Sequence, residues 1–348
     1  MTRTTTAVRP IAAACAALCL VAGTASADVT VISFGGTNQK AQEKAFYQPY
    51  TKTTGGKIVA GEYNGEQAKI KAMVEAKNVT WDVVEVESPE LARGCEEGLY
   101  EKLDMGKIGP KADFVPAALS ECGIGIFVWS TVLAYNGDTL KNAPASWNDF
   151  WDLKKFPGKR GMRKGAKFTL EFALLADGVK PEDVYKTLGT KAGADRAFKK
   201  LDQIKSNIQW WEAGAQPPQL LAAGDVVMST AYNGRIATAQ KEGKNLKIVW
   251  TNNIYDFDSW GIPVGTPNKE EAYKFIAFAS KPENQKVFAG EIPYGPTNVK
   301  GTALVDKAIV PQLPTAPQNM KGALASNTQF WVEHGEDLEQ RFNAWAAK

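Results

Sequence analysis

Between residues 29 and 86 the chain alternates strand and helix signals without interruption. Val29 opens a β-branched run over residues 29–34, stopped by Gly35-Gly36 and followed by Ala41, Ala45, Phe46 and Tyr50 at helical spacing. Residues 57–60 read as a strand, 67–76 as a helix and 81–86 as a buried strand. Such alternation dictates an α/β fold, because each helix must lie on a face of a mostly parallel sheet to bury its apolar stripe.

The chain has 348 residues, and its first 27 carry an export pattern: Arg3 and Arg9, an uncharged apolar stretch over residues 11–23, then Ala25-Ser26-Ala27. Basic, apolar, small-x-small is the order of a cleaved secretory signal. The apolar stretch is too short for a bilayer, which needs about 20 residues. The mature chain is expected to begin near Asp28 and to be soluble in the periplasm. Cys15 and Cys19 would leave with the signal, since neither has lipoprotein spacing. Loss of Arg3 and Arg9 lowers the formal charge of +3 and leaves no concentrated basic face for nucleic acid.

What remains exceeds what one hydrophobic core organises, so two lobes are expected. The segments Gly123–Asn136 and 258–264 read as the strands crossing between them. On that reading lobe one holds residues 28–134 and 260–300, and lobe two holds 137–258 and 301–348, with a helix over 336–347 across the back of lobe two. Lobe two shows further helices over 169–176, 181–188, 192–204 and 219–223, and a strand over 226–231. Ligands in open α/β sheets sit beyond the carboxyl ends of strands, which points to Gly36 and Ser88 in lobe one.

Cys95 and Cys122 remain after processing. Export places them in an oxidising compartment, where pairing is expected, with two buried free thiols as the alternative. Closing that loop of 27 residues would stabilise the fold by roughly 3 kcal/mol.

Catalytic patterns are missing. His334 is the only histidine and lies near the C-terminus, so a Ser or Cys triad lacks its usual base. Neither G-x-S-x-G nor a phosphate loop occurs, and Gly35-Gly36 lacks the dinucleotide spacing. No metal set accompanies the cysteines. Aromatic residues instead cluster with glycines and charges: Trp210-Trp211-Glu212, Tyr232-Asn233-Gly234-Arg235, Tyr255 to Trp260, and Pro293-Tyr294-Gly295-Pro296. Aromatic walls hold an amine by area burial and cation–π attraction of about 0.5–2 kcal/mol per contact, and a carboxylate at the end of the slot takes the ammonium.

In these segments the mature chain resembles the periplasmic spermidine/putrescine-binding proteins of ABC importers. Asp258-Ser259-Trp260-Gly261-Ile262-Pro263 is similar to the family's hinge strand, Tyr232-Asn233-Gly234 to its aromatic-Asn-Gly turn, and Tyr294-Gly295-Pro296-Thr297 to its Tyr-Pro-Thr-Pro loop. Trp147 to Asp152 is similar to the family's Trp-x-x-Leu-Trp-Asp run, with Phe150 replacing Leu. The resemblance implies a type II, two-lobe periplasmic-binding-protein fold with two crossover hinge strands. It also implies a monomer without cofactor or catalysis that delivers a small amine to an inner-membrane ABC permease. Asp258 would be the amine acceptor, with Tyr232 and Tyr294 as stacking walls. Trp211, Trp260, Ser88 and Gly36 complete the candidate contacts.

Three departures redirect the ligand assignment. Met162-Arg163-Lys164-Gly165 stands where the family presents acids for a far amine, Asp256 stands where an aromatic precedes the hinge acid, and Arg235 follows Asn-Gly in place of a small residue. An arginine fork matches a carboxylate in two parallel hydrogen bonds. Arg235 with Asp258 would then suit a zwitterion such as γ-aminobutyrate, with Arg163 a further candidate contact; a polyamine is the alternative.

Overall fold

The computed structural model describes residues 1–2 and 28–348, so the expected export signal falls outside the described residues. Ten strands form one continuous sheet: β1 (Val29–Ser33), β2 (Ile58–Glu62), β3 (Val83–Glu87), β4 (Gly123–Asn136), β5 (Arg160–Arg163), β6 (Ile208–Trp211), β7 (Met228–Tyr232), β8 (Leu246–Gly261), β9 (Gly295–Pro296) and β10 (Leu324–Ala325). The order is β2-β1-β3-β8-β4-β7-β5-β6, with β9 on β4 and β10 on β8. Both ends are parallel, β2-β1-β3 on one side and β7-β5-β6 on the other. The centre is antiparallel, because β4 leaves the first lobe along the path by which β8 returns. The sheet is therefore mixed rather than mostly parallel.

The first crossover is β4, with the bounds its apolar run dictates. The second is longer than expected: β8 starts at Leu246, well before residue 258. Lys247, Thr251, Asn252 and Asn253 break the apolar alternation there, and Lys247 and Thr251 face solvent. The strand ends before Pro263, whose missing N–H cannot continue a ladder. Pairing runs from Gly123 opposite Gly261 to Asn136 opposite Leu246, with register shifts at Gly125/Phe127 and Thr131/Leu133.

Two aromatic cores flank this ribbon. Phe46 stacks on Phe288, and Trp260 meets Phe46 and Phe275 edge-on. In the other lobe Trp147 stacks on Phe172 at 3.8 Å while its indole N–H donates to the Asn252 carbonyl. Each such aromatic pair contributes about 0.5–1.5 kcal/mol beyond the area it buries. Cys95 and Cys122 are bonded, with Cα atoms 5.8 Å apart, and tie the helix Ser88–Glu96 to the start of β4.

The C-terminal region divides. Val305 and Leu313 bury themselves with Ala289 beside the helix Pro282–Glu291, on the first lobe. Only the helix Thr328–Ala346, longer than its expected 336–347 span, lies on the second lobe, where Trp345 meets Phe198 and Trp210. Arg93 ties this helix back to the first lobe by donating to the Trp331 carbonyl at 2.9 Å. Among the described residues no helix is long and apolar enough to cross a membrane.

Candidate functional site

β3 reads Val83-Val84-Glu85-Val86-Glu87 and is buried along its whole length. The two-residue period of a strand puts Val84 and Val86 in an apolar cluster with Ile32, Leu91 and Tyr100 on one face. Glu85 and Glu87 share the other. Antiparallel pairing sets Glu87 opposite Asp258 and Glu85 opposite Trp260, so three carboxylates gather at the carboxyl end of β3.

Each carboxylate is compensated differently. Glu85 accepts from Asn38 Nδ2 at 2.8 and 2.9 Å and from Gln42 Nε2 at 2.8 Å. Asn38 and Gln42 face inward from the helix Gly36–Gln42 because they lie one turn apart. Glu87 is an ion-pair partner, 2.5 Å from Lys167 Nζ and 3.4 Å from Arg163 Nη1. Burial alone would raise its pKa, but the charges of Lys167 and Arg163 hold it below the usual carboxylate range. Asp258 accepts the Trp129 indole N–H, at 2.6 Å, and stands within hydrogen-bonding reach of the Glu85 carboxyl. Burial, and then the charges of Glu85 and Glu87, push it well above the usual carboxylate range. Among the described residues no cation lies within ion-pair distance of Asp258.

Arg235 is the converse. It stands in the first turn of the helix Asn233–Lys241 and donates from Nη1 to Thr37 Oγ1 at 3.0 Å and from Nη2 to the Phe34 carbonyl at 3.2 Å. Both partners are neutral, and its buried Nε has none. These bonds cross from the second lobe to the first. A Cβ on Gly36, whose φ is +57°, would lie 2.8 Å from Nη1, so glycine at that position lets the guanidinium approach the backbone. Asn233 fixes the turn, accepting from Ser130 N at 3.0 Å and donating to the Pro293 carbonyl at 2.8 Å.

Asp258 and Arg235 line one small cavity of about 30 Å³ with Asn38, Glu87, Phe34, Phe127, Trp129, Tyr232 and Tyr294. Its walls hold one another: Tyr294 stacks on Phe127 at 4.8 Å, and Trp129 meets Tyr232 edge-on at 5.0 Å. Gly234 is required here, since a Cβ would fall 2.6 Å from the Tyr294 ring. Asn38 Oδ1 is buried without a donor. The cavity thus offers two acceptors at one set of positions, Asp258 and Asn38, and an arginine with a free N–H at another.

Of the residues named from sequence, Arg235, Asp258, Tyr232 and Tyr294 come together in this cavity. Gly36 lies behind the guanidinium. Arg163 lines the adjoining cleft mouth, paired with Glu87. Trp211 is fully buried behind the cavity wall, edge-on to Tyr232 at 5.6 Å. Trp260 does not reach the cavity, being sunk in the core against Phe46 and Phe275. Ser88 points to the rear of β8, donating to the Phe257 carbonyl at 3.2 Å. Asp256 is also rearward, buried without a partner for Oδ2 and raised to about 7, mainly by burial. Sequence reasoning missed Phe34, Asn38, Glu85, Glu87, Phe127, Trp129 and Lys167. Two acids at period two in an apolar strand were the available signal for Glu85 and Glu87; Trp129 and Phe127, inside an unbroken apolar run, left none. Among the described residues no group of three His, Cys, Asp or Glu is placed to hold a metal.

Comparison with known proteins gives a consistent picture. A family model described as bacterial extracellular solute-binding protein matches residues 45–317. The γ-aminobutyric acid-binding protein of Pseudomonas aeruginosa is 62% identical over 323 residues, covering 93% of this chain and 92% of that one. The spermidine/putrescine-binding periplasmic protein of Escherichia coli is 23% identical over 304 residues, covering 80% and 84%. The solved Atu4243–GABA receptor structure superposes with a TM-score of 0.82 at 38% identity, covering 92% of this chain and 98% of that one.

Proposed function

Because the chain belongs to the bacterial extracellular solute-binding protein family, we propose that it is the periplasmic receptor of an ABC importer and captures γ-aminobutyrate or a close ω-amino acid. One observation carries the reading: a single aromatic cavity holds a carboxylate without a cation, Asp258, and a guanidinium without an anion, Arg235. A zwitterion completes both. Its ammonium meets Asp258 and Asn38 Oδ1, its carboxylate meets Arg235 at the positive end of the helix Asn233–Lys241, and its methylenes lie between the aromatic walls.

The lobes close about β4 and β8, bringing Arg235 onto Phe34 and Thr37. Binding energy drawn from both lobes is available only in that closed state. The protein then acts as a monomer handing its solute to an inner-membrane permease, with no chemical step. The relatives being binding proteins supports this.

Calorimetric titration of the mature protein with γ-aminobutyrate and with putrescine tests the assignment. Tight binding of γ-aminobutyrate and none of putrescine is expected. Tight putrescine binding with no response to γ-aminobutyrate would restore the polyamine reading.

A further inference from the structure

The cavity does not end at Glu87. Phe34 and Glu87 also line the cleft mouth, a larger space of about 120 Å³ that is lined as well by Glu90, Arg163 and Lys167. A ligand longer than the cavity would extend past Glu87 into this mouth, where two carboxylates stand ready for a second ammonium. Lys167 already serves them. Its Nζ lies 2.5 Å from Glu87 Oε2 and 2.7 Å from each oxygen of Glu90, so its contacts are those an ammonium ligand would make. The side chain is almost fully buried although it reaches across from the second lobe.

The backbone is bent to achieve this. Phe168, next in sequence, has a φ of +68°, a strained conformation for a residue with a side chain. That bend lets its ring pack edge-on against Trp129, 5.7 Å between centroids, on the wall of the ligand cavity. Lys167 is thereby fixed to the same wall that carries the Asp258 partner.

We infer that Lys167 is a specificity-determining residue: its tethered ammonium fills the position where the second ammonium of a diamine or polyamine would sit, so the site admits one amine only. A diamine would have to displace a buried, doubly paired lysine or lie beside it, and like charges so placed cost several kcal/mol. The inference rests on the zwitterion reading and adds the reason why diamines are refused.

The test is calorimetric titration of wild type, Lys167→Met, Lys167→Gln and Lys167→Arg with γ-aminobutyrate, putrescine and cadaverine, with thermal melts to establish folding. The glutamine variant, polar and nearly as long, keeps the test should the methionine variant fail to fold. Neutral variants are expected to gain about tenfold or more in diamine affinity, while γ-aminobutyrate binding holds or weakens, and Lys167→Arg should keep the wild-type preference. A residue that merely latched the lobes would weaken all three ligands together when neutralised, and that result, or a wild type that takes diamines as readily as γ-aminobutyrate, overturns the inference. The wild-type γ-aminobutyrate titration judges the ligand assignment separately from the diamine titrations that judge Lys167.

Discussion

Glu87 and Asp258 face each other directly across β3 and β8, yet only Glu87 has a cation. Carboxylates so placed lie about 5 Å apart at Cβ, and leaving both charged is costly. Lys167 and Arg163 settle Glu87, which leaves Asp258 without a cation and, on the receptor reading, as the group that a ligand would satisfy.

Removing either end of the recognition pair is expected to be severe. Arg235→Ala should lose about 2–5 kcal/mol of γ-aminobutyrate binding, because it strands a buried carboxylate, and Asp258→Ala a similar amount for the ammonium. Calorimetry at constant pH and salt measures both. An Arg235→Ala variant that binds γ-aminobutyrate unchanged would remove Arg235 from the site.

Ligand capture should release protons. Asp258 is held well above the usual carboxylate range by burial and by Glu85 and Glu87, and an arriving ammonium would lower it. Between those two values the free form carries the extra proton, so affinity rises with pH. Titrations in buffers of differing ionisation enthalpy should show net proton release at a pH inside that window. Proton uptake on binding would contradict the sign.

Stability should respond to pH through a residue away from the ligand. Glu171 is fully buried, accepts the Trp331 indole N–H at 2.9 Å on one oxygen and leaves the other unpaired; burial raises it to about 7. A raised acid holds its proton in the folded state after the unfolded chain has lost it. Its contribution is therefore most favourable below about 4.3, the unfolded value, and is lost as pH climbs to about 7. Glu171→Gln keeps an acceptor for Trp331 without the charge. It should be more stable than wild type at pH 8 by something on the order of 2–3 kcal/mol, with the gap closing near pH 4. Denaturant melts at the two pH values decide it.

Reduction of the Cys95–Cys122 bond frees a 27-residue loop. The paired Cys95→Ala, Cys122→Ala variant should lose about 3 kcal/mol, read as a lower denaturant midpoint. An unchanged midpoint would mean that packing alone holds the helix Ser88–Glu96 against β4.

Much of this was readable in the residues. The opening alternation gave β1 to β3, the apolar run from Gly123 gave β4 to its last residue, and the Asn-Gly and hinge segments led to Arg235, Asp258, Tyr232 and Tyr294. Aromatic residues near strand ends were a coarser guide: Trp260 and Trp211 stand at the ends of β8 and β6, but strand geometry and packing sent both into the core. The polar opening of β8 hid most of the second crossover, since its pairing with β4 supplies the order that its own pattern lacks. Lys167 was invisible because its role depends on a non-local pairing between lobes, 80 residues away from Glu87 in sequence.

The ribbon of β4 and β8 carries more than connectivity. Trp129 belongs to one strand and Asp258 to the other, and the 2.6 Å bond between them bridges the two. The irregular steps in their pairing fall on either side, at Gly125/Phe127 and Thr131/Leu133. The pairing that would flex and the contact that would sense solute, on the receptor reading, lie on one two-stranded ribbon, so capture at Asp258 would act on that ribbon without any relay through loops or lobe interiors. On the receptor reading, the compliance of these two irregular steps governs how readily the cleft reopens, and substitutions there would retune solute release while leaving every ligand contact in place.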